Sequence, residues 1–550
     1  MRRIIKTVAL VLVLSLFLGG CGSFTDKPAA TDTPTETGKD APEVVAEEKI
    51  LKVSLENDIP DLNQTTTTDT ISFTILNNIE EGLFRLDEEN KPQPAMAESV
   101  KLSDDGLTYT FTLRDGIKWS NGEPVTSQDF KYGWLRGLNP ETSGSYSFII
   151  ADYVVGAQEF ADGTGKVEDV KIEATDDKTL VVVLKQPTPY FVSLTAFPLY
   201  FPLNEKFINE KGEKYALSMD GLLYNGPFVL KEFDPAKGVV LEVNPNYWDK
   251  DNLMVDKIDM KVIKEHGTAL NLYDTGELDM ASLSSSDVNT YKDSPEFKAY
   301  TKFRSYYIQF NLSKEATKNL NIRKAIQLAL DPEVLTSNVL NDGSEAATGL
   351  IPTGMGGSDK SFREAQGDLI IPDIEKAKEL WAIGVAEVGS TPSLELLTAD
   401  DQISKDCGTF IQSQLRQNLG IEISLVTKPY SGRLQTMRDD DYQMVVSAWG
   451  ADYNDPMTYM DLWAAPAVPF RGNFSNARYD ELLSSAKVEV DPVKRIDMLL
   501  EAEKIMLVEE AVLAPLYYQG QAFAIKDYVE GIVYHPYGVT WDYKWSKLNK

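Results

Sequence analysis

Cysteine and histidine are nearly missing from this chain. Of 550 residues, two are cysteine, Cys21 and Cys407, and two are histidine, His266 and His535. Two thiols build no disulfide framework, and two imidazoles build no histidine-rich metal site. A Ser-His-Asp or Cys-His mechanism would have to use one of those two histidines, and neither sits in a nucleophile motif. Positive charge is also scarce, with 54 Lys and Arg against 84 Asp and Glu, a net charge of −30. That argues against nucleic acid as a partner, because nothing neutralises phosphates over an extended face. No nucleotide loop is present. The tempting stretch GMGGSDKS (354–361) lacks the glycine immediately before Lys360. What the chain does have is 43% hydrophobic and 10% aromatic residues, the composition of a folded, well-cored protein. Its length exceeds one compact core, so two or three lobes are expected.

The first residues carry an address. Arg2, Arg3 and Lys6 precede an apolar stretch, Thr7 to Leu18, and then LGGC ends at Cys21. This is a secretory signal over residues 1–20, too short for a spanning helix. The order of leucine, two small residues and cysteine resembles the bacterial lipobox, so Cys21 is expected to carry lipid and to become the mature N-terminus. Residues 22–48 are rich in Thr, Pro, Asp and Glu and lack the apolar residues that would order them. They read as a tether spanning roughly 30 Å as a coil.

Beyond residue 49 the pattern changes twice. ILKVSLEND alternates Leu51, Val53 and Leu55 with polar residues and reads as a strand. ESVKLSDDGLTYTFTL and VKIEATDDKTLVVVL read as hairpins turning at SDDG and TDDK. With SQDFKYGWLRGL as a helix, 80–190 leans to antiparallel sheet. After NIRKAIQLAL, a helix with Asn321 as its expected cap, strands at 394–397, 421–426 and 442–446 alternate with helices at 402–419 and 430–438. That alternation predicts βαβ units around a parallel sheet. DPVKRIDMLLEAEKIMLVEEA predicts a long helix capped by Asp491, with Val493, Ile496, Leu500 and Leu507 on one face. Cys407, on a helical stretch, reads as a small buried apolar residue. RDDD (438–441) reads as a solvated run.

MVVSAW is then a buried strand, and Gly450 to Pro456 leaves its carboxyl end, where open α/β sheets bind ligands. Asp452 faces the crevice in that reading. Taken alone, Asp452 reads as a turn or capping residue of ADYNDP, and Asp455, before Pro456, serves the turn.

The stretches EEGLFRLDEENKPQPAMAESV, YTFTLRDGIKWSNGEPVTSQDFKYGW, YNGPFVLKEF with LEVNPNYWD, YYIQFNL with NIRKAIQLALD, SAWGADYNDP and PLYY stand here in that order. Together they resemble the oligopeptide/dipeptide-binding family of ABC-transporter solute-binding proteins, over about 51–550. The resemblance implies an α/β fold of the periplasmic-binding-protein type. Two lobes are joined by a hinge, with a subdomain inserted in the first. Mapped here, the first lobe takes 49–80, 195–303 and 519–550, the insert 81–194 and the second lobe 304–518. It implies that Asp452 meets the α-amino group of a peptide swallowed between the lobes, and that Trp449 and Gly450 flank it. It places Thr68 to Ile71, with Thr70, on a strand along the peptide backbone, and Tyr146, Tyr306, Tyr430 and Tyr518 at side-chain pockets. Members that prefer very short peptides hold the ligand carboxylate with arginines. Val446 and Met437 occupy those positions here, with Arg438 adjacent, so longer peptides running on through the cleft are implied.

The expectation is therefore a monomeric receptor, not an enzyme. It needs no cofactor or metal and is held by lipid at the extracytoplasmic face of the bacterial membrane. There it hands oligopeptides to permease subunits driven by partner ATPases. The alternatives are another solute of the same family, such as an oligosaccharide, a nickel chelate or haem, and, from a different class, an extracellular hydrolase using two carboxylates.

Overall fold

The structure, a computed structural model, describes residues 48–550 except 143, 145 and 465–467. Cys21 and the tether up to residue 47 lie outside the described residues. The alternation in β1 (Ile50–Leu55) buries Leu51, Val53 and Leu55. Residues 68–71, expected as an extended strand, do not form one. The Asp69 carboxylate accepts the backbone N–H groups of Ile71 and Ser72, and so caps a helix, α1 (Thr70–Ile79). Thr70 is the first residue of that helix.

Four strands then form one antiparallel sheet in the order β2-β3-β5-β4: β2 (Ala97–Leu102), β3 (Thr108–Leu113), β4 (Ile172–Asp176) and β5 (Thr179–Val183). Both hairpins turn at SDDG and TDDK as their sequences dictate. The helix α2 (Ser127–Leu138) starts at a capping box, Thr126 with Asp129. It packs Phe130 and Trp134 with Phe111 and Phe191 in the core of this unit. The chain returns through β6 (Phe228–Asp234), β7 (Gly238–Val243) and β8 (Lys257–Val262). These join β1 in the order β1-β8-β7-β6, with β1 and β8 parallel.

A larger sheet is assembled from β9 (Met280–Leu283), β10 (Phe297–Phe310), β11 (Glu345–Ala346), β12 (Leu394–Ala399), β13 (Ile423–Lys428), β14 (Met444–Gly450) and β15 (Leu513–Ile525). Its order is β9-β15-β10-β14-β12-β13, with β11 added beside β15. The sheet is mixed, not parallel. β12 runs parallel to β13 and β14, whereas β10 runs antiparallel to both β14 and β15. The helix–strand alternation of 394–450 dictates only the parallel part; β10 and β15 come from distant segments that carry no such signal. Helices cover both faces. On one, Ile322 and Ile326 of α3 (Leu320–Leu328) and Ile411 and Leu415 of α4 (Gln402–Leu419) pack on Ile308, Leu396 and Met444, and Cys407 is buried there. On the other, Ile496 and Leu499 of α6 (Pro492–Lys504) pack near Tyr307 and Leu513. A further helix, α5 (Tyr430–Arg438), connects β13 to β14.

One cap and one helix face differ from expectation. Asn319, not Asn321, caps α3, accepting the N–H of Ile322; Asn321 instead bonds Glu387. Val493 is exposed. The chain passes from α6 into a π-helical turn at Ile505–Glu509, which shifts the phase and brings Leu507 into the core. Asp440 of the RDDD run is not simply solvated: it accepts the side-chain amides of Asn311 and Asn473. The result is an α/β fold of two lobes. β10 and β15 are its longest strands, and their pairing breaks register between Thr301 and Ser305.

Candidate functional site

The carboxyl end of β14 opens into a cavity of about 520 Å³. One wall is built by the antiparallel unit, with Asp152, Tyr153, Lys185 and Tyr190. The other is built by Trp449, Asp452, Tyr453 and their neighbours. Burial falls along β14, from the enclosed Met444–Ser447 to the exposed Gly450, so the strand delivers its last residues to the cleft. Across it, Tyr190 and Tyr453 stack with centroids 4.4 Å apart and planes 8° apart, with Tyr153 edge-on to Tyr190.

Among the described residues, Asp452 meets no counter-charge in this cavity. Its backbone N–H donates to the Thr458 hydroxyl at 3.2 Å, but no described basic group lies within ion-pair distance of its carboxylate. It keeps contact with solvent, yet the walls strip enough water to raise its pKa above the ordinary value. The Tyr146 phenol is pushed up by burial and, secondarily, by the charge of Asp452, which places both groups in one field. Asp455 differs. Its carboxylate is gripped at both oxygens by Arg495, at 2.7 and 2.8 Å, and one oxygen also accepts the Met457 N–H at 2.9 Å. The turn role expected of Asp455 is present, and a buried ion pair is added to it. An ammonium arriving from a ligand would find Asp455 satisfied and Asp452 open.

The remaining expected site residues are dispersed. Trp449 lines the cavity, half-buried. Gly450 is exposed and pairs with Arg304 of β10, and a Cβ there would meet nothing closer than 3.8 Å, so the glycine leaves the backbone approachable rather than relieving a clash. Tyr306 stacks on Tyr517 at 4.4 Å. Tyr430, the first residue of α5, is 61% exposed. Tyr518 is no pocket wall. It is 1% exposed, and its hydroxyl is spent on the backbone N–H and carbonyl of Gly349, both at 3.1 Å. Tyrosine at strand spacing cannot by itself distinguish core from pocket, and here the core face won. Thr70 borders a different cavity of about 180 Å³, together with Asp69 and Lys302.

Sequence reasoning passed over Tyr190, Tyr453 and Arg495, which come together only through tertiary packing. It also passed over Arg433 and Arg471. A signal existed for Arg433. It precedes Met437 by four residues, hence lies on the same face of α5, and its Nη1 donates to the carbonyl of Val446 at 3.2 Å. Val446 and Met437 are themselves buried, so neither position presents a side chain to the cleft.

Among the described residues no group of three or more His, Cys, Asp or Glu side chains could hold a metal ion, and no helix is long and apolar enough to cross a membrane. Comparison with known proteins follows this geometry. Residues 91–469 match the family profile of bacterial extracellular solute-binding proteins, family 5, middle region. The dipeptide-binding protein DppE of Bacillus subtilis is 33% identical over 554 aligned residues, covering 100% of both chains. Among solved structures, peptide-bound OppA of Listeria monocytogenes is 36% identical, covering 92% of this chain and 100% of its own, with a TM-score of 0.68. The murein tripeptide-binding protein MppA in its unliganded open form is 26% identical, covering 92% and 98%, with a TM-score of 0.80. The TM-score to unliganded MppA is thus the higher of the two although its identity is the lower. This chain belongs to the bacterial extracellular solute-binding proteins of family 5.

Proposed function

We propose that this protein is an extracytoplasmic receptor that captures oligopeptides between its lobes and delivers them to an ABC permease. The observation that carries the reading is Asp452, a partly desolvated carboxylate that meets no cation among the described residues and stands in a cleft of about 520 Å³. A peptide brings an α-ammonium whatever its sequence. Closure removes water from both charges, which is tolerable only if each meets the other and their hydrogen bonds are filled. A peptide held through its own backbone, in the manner of an added strand, need not have its side chains read.

In this reading the first lobe comprises 49–80, 195–303 and 519–550, the insert 81–194 and the second lobe 304–518. Bending occurs where β10 and β15 lose register between Thr301 and Ser305. Ligand favours the closed form because it touches both lobes. The protein acts as a monomer, without cofactor or catalysis, anchored by lipid on Cys21 at the outer face of the cell membrane. Transport energy comes from ATPases bound to the permease. An oligosaccharide would leave Asp452 without a cation, so peptide is the better fit. Mass spectrometry of whatever co-purifies with the protein tests this directly: peptides support it, whereas a sugar or a metal chelate contradicts it.

A further inference from the structure

The turn that carries Asp452 is tied down on both sides of that residue. The Ala451 N–H donates to the Phe303 carbonyl of β10 at 2.7 Å, and the Asp452 N–H to the Thr458 hydroxyl at 3.2 Å. Asn454 Oδ1 accepts the Gly356 N–H at 2.7 Å. Asp455 is gripped by Arg495 of α6.

Two further ties come from the far wall, the insert at 81–194. The Tyr190 ring stacks on Tyr453, the residue after Asp452, with centroids 4.4 Å apart and planes 8° apart. The Tyr153 hydroxyl interacts with the hydroxyls of both rings, and both rings lie in the field of the Asp455 carboxylate. Tyr453 thus packs against the core of the insert as well as against the core that contains α6. Asn454, the next residue, donates its side-chain amide to the Asn90 carbonyl at 3.4 Å. Asn90 has a left-handed backbone, φ 59°, on the turn between Leu86 and Pro92. Its own side chain meets His535 Nδ1 at 2.9 Å. The described residues that line the cavity of Asp452 all come from the insert or from 449–495.

We propose that Tyr190 is a positioning residue for peptide binding: through its stack on Tyr453 it fixes the turn from which Asp452 meets the ligand's ammonium. The proposal rests on the peptide reading above and gives the insert a part in it. A carboxylate answers an ammonium only at hydrogen-bond distance and in a set direction. A turn that had to order itself on binding would subtract that ordering from the affinity, whereas a turn already held does not. Tyrosine rings have few rotamers to lose, so the stack is a stiff hold. The Arg495 pair fixes the turn at Asp455, and Tyr190 fixes it beside Asp452. The amine contact is then made by one wall of the cleft and its geometry is set by the other.

Two measurements on the full chain test it. In calorimetry with pentaalanine, Tyr190→Ala weakens binding at least tenfold, but weakens binding of N-acetyl-pentaalanine less than twofold, because that probe has no ammonium to place. Tyr190→Phe keeps the ring and stays within threefold of native for both probes. Equal losses for the two probes would mark a merely structural role and overturn the proposal, as would native affinity in Tyr190→Ala. The second measurement needs no ligand. In amide hydrogen exchange of the free protein, Tyr190→Ala speeds exchange across 451–458 at least tenfold and leaves β12 and β13 unchanged. Unchanged exchange at 451–458, or a rise everywhere, overturns the proposal whatever pentaalanine does. If native protein binds both probes equally, or neither, it is the role of Asp452 that fails, and exchange alone then decides whether Tyr190 holds the turn. Should Tyr190→Ala fail to fold, Tyr190→Leu fills the space without a ring and makes the same comparisons.

Discussion

Asp455 and Arg495 form a buried two-pronged ion pair at 2.7 and 2.8 Å, while Asp452, three residues earlier on the same turn, has no such partner. One carboxylate is locked inside the fold, and the other meets no counter-charge among the described residues. Exchanging each for asparagine separates the two roles.

Asp455→Asn leaves Arg495 buried and half-paired. Breaking one side of a buried pair costs about 3–5 kcal/mol, so urea unfolding of the ligand-free protein should show a midpoint far below native. Peptide affinity of the fraction that remains folded should change little. Native stability in this variant would mean that the pair is dispensable.

If Asp452 holds the ligand's ammonium, its raised pKa makes binding pH-dependent. An ammonium is attracted only by the ionised form, so affinity is full above the free pKa of Asp452 and is lost as pH falls through it. Because that pKa is raised, the loss begins at a higher pH than an ordinary aspartate would show. The stability of the free protein runs the opposite way. A carboxyl whose folded pKa is raised stabilises below its unfolded pKa, and that contribution is lost as pH rises through the folded value. Asp452→Asn should therefore melt above native at neutral pH, by about 1 kcal/mol or less given the solvent contact, and equal it in acid. Titrations of binding and melting across pH check both signs.

The anchor is tested without reference to the cleft. Cys21→Ala should leave the precursor unprocessed or release the protein into the soluble fraction. Correct processing with unchanged membrane fractionation would contradict lipidation at Cys21.

Local pattern made much of the fold legible. The alternation of Leu51, Val53 and Leu55, the SDDG and TDDK turns, the helix at SQDFKYGWLRGL and the cap at Asp491 all depend on neighbours in sequence, and all form as read. What depends on distant chain did not read through. Parallel pairing of β12 with β13 says nothing about β10, which joins from about 140 residues away and makes the sheet mixed. Thr70 became helical because one side chain, Asp69, captured two backbone donors. Asp452 could be singled out from its place after β14, but its lack of a counter-charge is a property of the whole surround. The same holds for the stack of Tyr190 on Tyr453, which no spacing in the sequence shows.

The most direct measurement is a double cycle between protein and ligand. Native protein and Asp452→Asn are each titrated calorimetrically with a peptide and with its N-acetyl form. If Asp452 holds the ammonium, either change alone costs roughly 2–5 kcal/mol, and acetylation costs the Asp452→Asn variant far less than it costs the native protein, because the partner charge is already gone. Losses that simply add would show that Asp452 does not touch the amine.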